Sequence, residues 1–169
     1  MIVKKIFIIL SLVPLVMNTG KLAVALTVIY AGFIFYLSSQ SDPSAALEKN
    51  EFIMQLYMAM KNSEFAFFAY PFYPLVKYPD KFIHMIIFLI LGILLNASFR
   101  YNFRYNYPVN SFLALLVGFL YSVSDEFHQS FVPGRTASLW DLGADVVGLV
   151  LAQLVIGVVL IVKKKHDFT

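Results

Sequence analysis

The 169-residue chain contains no cysteine. That excludes a disulfide framework, a thiolate nucleophile and a cysteine-ligated zinc site. Charge is scarce too: Asp, Glu, Lys and Arg supply 14% of the residues, against about 25% in a soluble domain. There is no glycine-rich phosphate loop and no basic stripe, so nothing supports nucleotide or nucleic-acid binding. Neither an HExxH pair nor a GxSxG elbow occurs, and Ser124, Ser130 and Ser138 therefore lack the setting of an esterase nucleophile. No repeat of solenoid length is visible.

What fills the chain instead is apolar sequence, 60% hydrophobic with a mean hydropathy of +0.76. A membrane-spanning helix needs roughly 20 mainly apolar residues, and about 17 can suffice. Four stretches read this way: Leu22–Leu37, Phe82–Phe99, Val109–Val123 running on into a polar patch, and Leu142–Val162. The fold expected is all-α, a polytopic membrane bundle of four transmembrane helices plus a short N-terminal hydrophobic helix. Its divisions are an interfacial or re-entrant segment at 1–20, a four-helix membrane domain at 21–165 and a tail at 166–169. The run Ile6–Met17 is short for a crossing and holds Pro14; a fifth crossing is the alternative.

Basic residues favour the cytoplasmic ends of membrane helices. Lys4, Lys5 and Lys21 precede the first span, Arg100 and Arg104 separate the second from the third, and Lys163, Lys164 and Lys165 follow the fourth. With four crossings these clusters share one side, and only Asp167 of the ten acids joins them. Both termini are therefore expected in the cytoplasm, and segments 38–80 and 124–141 outside. Within the first of these, Ala45–Met60 has helical apolar spacing, whereas Pro71, Pro74 and Pro79 forbid a long helix through the aromatic run that follows.

The polar residues are concentrated in DEFHQSFVPGRTASLWD, Asp125 to Asp141. If the third helix continues past Val123, Asp125, His128 and Gln129 share a face at i, i+3 and i+4. Pro133-Gly134 ends the helix, Arg135 follows, and Ser138 is placed to cap the next one. Asp141 and Asp145 lie on the side of the small residues Ala144, Gly148 and Ala152, a pattern that packs helices closely in lipid. Their carboxylates are thus predicted to point into the bundle. On the second helix, Asp80 or Lys81 aligns with His84. One pocket can then collect these groups at the outer helix ends. The inner halves look dry, which argues against transport.

Three segments carry a resemblance: YLSSQSDPS, DKFIHMIIFLILG and DEFHQSFVPGRTASLWDLGADVVG. Together they resemble the VanZ-like family of small bacterial membrane proteins over about residues 22–162. The family's characteristic polar residues correspond here to Lys81, His84, Asp125, Glu126, Gln129, Arg135 and Asp141. At Asp145 many members carry Asn. The resemblance implies a bacterial cell-membrane protein of the envelope, related to one associated with reduced teicoplanin susceptibility, and it supplies no reaction.

The expectations are these. His84, Asp125 and Glu126 provide acid, base or hydrogen bonds; Lys81, Gln129, Arg135, Asp141 and Asp145 bind a ligand. Membrane lipids, and among ligands a lipid-linked cell-wall precursor, are the partners. No cofactor is required; a divalent metal, if used, has His84, Asp125 and His128 as candidate ligands. Two further readings stay open: an intramembrane hydrolase or transferase, and a non-catalytic scaffold whose polar network locks the bundle.

Overall fold

The structure, a computed structural model, describes residues 20–41, 55, 58–59, 61–63, 77–103 and 105–166. The N-terminal helix expected at 1–20, most of the 38–80 segment with its Ala45–Met60 helix, and residues 167–169 lie outside the described residues. Four helices form the rest: α1 Gly20–Ser38, α2 Pro79–Phe103, α3 Tyr107–Gln129 and α4 Leu139–His166. All four are long and apolar enough to cross a membrane, and the described residues contain no strand.

Each boundary has a local cause. Proline opens α2 at Pro79, where its missing N–H is no loss. Asn106 caps α3, its side chain accepting a hydrogen bond from the Val109 N–H at 3.1 Å. Ser138 caps α4 as expected, with the Asp141 N–H donating to its Oγ at 3.3 Å. The α3–α4 link turns at Val132-Pro133-Gly134-Arg135. There the Arg135 N–H donates to the Val132 carbonyl at 3.1 Å and Gly134 has φ of 82°. Proline second and a positive-φ glycine third are what a type II turn requires. The third helix does run through the first polar residues, ending at Gln129 rather than at Val123.

The helices alternate in direction. At one end the last turn of α1 meets the last turn of α3, with Ser38 against Asp125, and the first turns of α2 and α4 meet through Lys81 and Asp141. At the other end Asn102 of α2 donates to the Gly20 carbonyl at 2.9 Å. The most extensive interface joins α2 to α4, and α1 packs mainly on α2.

That seam depends on small residues. A Cβ placed on Gly148 would collide with the Met85 carbonyl of α2 and lie 2.8 Å from the Leu89 nitrogen; one on Gly92 would lie 2.8 Å from the Ala152 Cβ. Beside the seam, Ile34, Phe88, Leu91, Leu95, Ala114 and Leu149 form the apolar core. Large apolar side chains such as Ile29, Phe112 and Ile161 stay exposed on the outside. In water that surface would be a liability; hydrocarbon solvates it.

Candidate functional site

The polar end is built from three linked groups. In the first, Asp125 accepts from the Ser38 hydroxyl at 2.6 Å and from the Gln129 amide at 2.8 Å. The Asp125–Gln129 bond is the i, i+4 contact of a continuous helix, and Ser38 ties α1 to it. In the second, Lys81 bridges two carboxylates, with 2.5 Å to Asp80 Oδ2 and 2.5 Å to Asp141 Oδ1.

The third is the most buried. His84 Nδ1 lies 2.9 Å from Asp145 Oδ1, and the Ser122 hydroxyl donates to Asp145 Oδ2 at 2.5 Å. Glu126 completes it, accepting the Ser138 backbone N–H on Oε2 at 2.7 Å. This bond explains how Asp141 is released for Lys81. With Ser138 as N-cap, Asp141 occupies the third helical position, whose acid ordinarily returns to the cap N–H. Glu126 of α3 takes that N–H instead, so the α4 start is capped from a neighbouring helix.

A cavity of about 360 Å³ opens among these groups. Lys81, His84, Asp125, Gln129, Arg135 and Asp141 are on its wall. The turn at Gly134 brings Arg135 there, and among the described residues no side-chain acceptor pairs with its guanidinium.

The VanZ/LLP1 family profile matches residues 22–161. The chain belongs to this family. No curated protein and no solved structure matches it. As a VanZ/LLP1 member with four apolar helices, it is a multi-pass membrane protein.

Not every residue expected at the site reaches the cavity of this VanZ/LLP1 protein. Glu126 and Asp145 sit behind the wall, beside His84. His128 points elsewhere: its ring stacks on Phe35 with centroids 4.2 Å apart, and Nε2 lies 3.1 Å from the Ser39 hydroxyl. It shares a helical face with Asp125 by number, yet the α1 terminus covers it. Of the sequence candidates for a metal, His84, Asp125 and His128, the last is thus turned toward α1; among the described residues the ligand-type atoms that converge, all within 4.8 Å of one another, belong to His84, Glu126 and Asp145.

Two features escaped sequence reading. Ser38 and Ser122 are direct partners of Asp125 and Asp145; Ser122, three residues before Asp125, had the helical spacing to be noticed. The second is the other half of the bundle, which is not dry. Asn96 donates to Gln153 Oε1 at 2.7 Å and to Ser111 Oγ at 3.3 Å, and Gln153 donates to the Gly92 carbonyl at 3.3 Å. The Tyr107 hydroxyl donates to the Gln153 carbonyl, and Thr27 and Ser98 share a hydrogen bond of 2.8 Å. Single amides within apolar runs carry little pattern, so sequence alone does not separate them from the dry helices around them.

Proposed function

We propose that the cavity is an extracytoplasmic binding site for the anionic headgroup of an envelope lipid or lipid-linked cell-wall precursor. Occupancy would change what glycopeptide antibiotics such as teicoplanin can reach. The observation that carries this reading is Arg135, a residue of the cavity wall at the helix ends beside Lys81, whose guanidinium has no carboxylate partner among the described residues. Arg presents a planar fork matched to phosphate and carboxylate. Sidedness is supported by Lys21, Arg100, Lys163 and Lys164, which belong to the opposite end of the bundle. On this reading the protein sits in the bacterial plasma membrane with both termini cytoplasmic.

The direct test is teicoplanin susceptibility of a sensitive Gram-positive host expressing the wild type or Arg135→Ala at equal membrane abundance. Protection by the wild type that Arg135→Ala loses is the expected result. Equal protection by both would remove the cavity from the phenotype, and no protection by the wild type would remove the antibiotic from the function.

A second reading, an intramembrane hydrolase or transferase, is favoured by one contact. His84 lines the cavity while its Nδ1 is engaged by Asp145. A carboxylate that fixes one ring nitrogen orients the other as acid or base. Turnover of a phospholipid or a lipid-linked precursor by purified protein, abolished in His84→Gln, would favour it over simple binding.

A further inference from the structure

Five carboxylates, Asp80, Asp125, Glu126, Asp141 and Asp145, surround the cavity and its His84 wall, where Lys81 and Arg135 are the only Lys or Arg among the described residues. Lys81 is already shared between Asp80 and Asp141. Asp125 is answered by two neutral donors. That leaves Glu126 and Asp145 with a single imidazole between them, at residue exposures of 6% and 0%, and His84 itself at 8%. Buried carboxylates without a cation are expensive.

The hydrogen bonding of the trio shows how it is prepared. Each carboxylate has one oxygen held by a neighbouring donor: Ser122 on Asp145 Oδ2, and the Ser138 N–H on Glu126 Oε2. The opposite oxygens are left for other work. Asp145 Oδ1 faces His84 Nδ1, and Glu126 Oε1 is buried with no hydrogen-bond partner. Donors to the non-ligating oxygens are the supports that orient metal ligands. The 2.9 Å between His84 Nδ1 and Asp145 Oδ1 is a hydrogen-bond length, so a bound cation would take the place of the shared proton. One nitrogen and two hard oxygens suit Mn²⁺ better than a structural zinc, which favours thiolate and imidazole.

We propose that His84, Glu126 and Asp145 form a divalent transition-metal site, with Mn²⁺ the ion it fits best. The inference rests on this trio and stands whether or not the cavity binds a lipid. Asp125 and His128 are outside it, one committed to Ser38 and Gln129 and the other to Phe35 and Ser39.

The test uses full-length protein with a non-histidine affinity tag, stripped with EDTA, dialysed against micromolar Mn²⁺ or Zn²⁺ and counted by mass spectrometry. Glu126→Gln is the informative variant. Its amide oxygen still accepts the Ser138 N–H, so the α4 cap survives, while the free oxygen becomes an NH₂ group that repels a cation. About one Mn²⁺ per wild-type chain, at least tenfold less in Glu126→Gln and undiminished binding in Asp125→Asn is the expected result. Thermal stabilisation by Mn²⁺ in the wild type, absent in Glu126→Gln, must accompany it. Failure of the wild type to bind either ion overturns the proposal. So does equal binding by Glu126→Gln, or a loss in Asp125→Asn as large as that in Glu126→Gln, because either result places the ion elsewhere.

Discussion

The two ends of this bundle solve the same problem with different chemistry. Both hold buried polar side chains between α2 and its neighbours, where lipid offers no water to satisfy them. At one end the groups are neutral: Asn96, Ser111 and Gln153 hydrogen-bond to one another and to backbone carbonyls. At the other they are mostly ionisable and surround a cavity; buried oxygens without a partner occur at both ends, Asn110 Oδ1 at the neutral one and Glu126 Oε1 and Gln129 Oε1 at the charged one. Neutral amides suffice to fix helix register. Carboxylates are costlier to bury than amides, and substitutions at the two ends can measure that difference.

The strongest challenge to this contrast removes both ends together. Gly148 sits in the α2–α4 seam between His84–Asp145 on one side and Asn96–Gln153 on the other. Gly148→Val drives a Cβ into the Met85 carbonyl, which is backbone and cannot rotate away. The expected outcome is loss of the monodisperse peak in detergent size-exclusion chromatography. A wild-type elution profile would mean that the seam tolerates separation and that neither network depends on it.

Next in size is a lesion confined to the charged end. Asp145→Ala strips His84 Nδ1 and the Ser122 hydroxyl of their common acceptor in a fully buried place. Breaking a buried pair by deleting one partner costs about 3–5 kcal/mol. For a chain of this size that corresponds to roughly 6–20 °C in the midpoint of a thermal melt. Asp145→Asn retains an acceptor for one donor and should lose less than half as much. Equal losses in the two variants would show that charge, rather than hydrogen bonding, is what the bundle requires at this position.

Gln153→Leu makes the corresponding cut at the neutral end. It removes the acceptor of Asn96 and the donor to the Gly92 carbonyl. Interhelical hydrogen bonds in membranes average about 0.6 kcal/mol and reach about 1.7. Leucine also fills most of the space. A destabilisation of about 1–2 kcal/mol is expected in the same melt. A loss as large as that of Asp145→Ala would erase the distinction between the two ends.

The contrast also explains what could be seen in the sequence. Four helices were legible because long apolar runs leave few other structures in lipid. The burial of Asp141 and Asp145 followed from their spacing to Gly148 and Ala152, which the packing of α4 on α2 bears out. Charged residues stood out against an apolar background, so Lys81, His84, Asp125, Glu126 and Arg135 could be named in advance. Asn96 and Gln153 could not: a lone amide is compatible with either a lipid-facing or a bundle-facing position until the neighbouring helix is known. The surroundings of His128 were hidden for the opposite reason. Periodicity placed it on the face of Asp125, and only the position of α1, whose Phe35 and Ser39 engage the ring, turned it away.

The smallest structural effect belongs to the residue with the largest expected functional one. Arg135 follows the type II turn, is partly exposed, and among the described residues no carboxylate pairs with its guanidinium. Arg135→Ala should therefore change stability by no more than about 0.5 kcal/mol, as for a surface side chain outside any network. If the guanidinium contacts an anionic headgroup, the same variant should lose at least tenfold in affinity for vesicles containing anionic phospholipid, about 1.4 kcal/mol, with no change for neutral vesicles. Lys81→Ala cannot make this separation, since removing its ammonium strands Asp141 and destabilises the bundle as well. A marked fall in the melting midpoint of Arg135→Ala would instead make the arginine a structural counter-ion to the surrounding carboxylates. The charged end would then resemble the neutral one in purpose, a lock for the helices made from costlier parts.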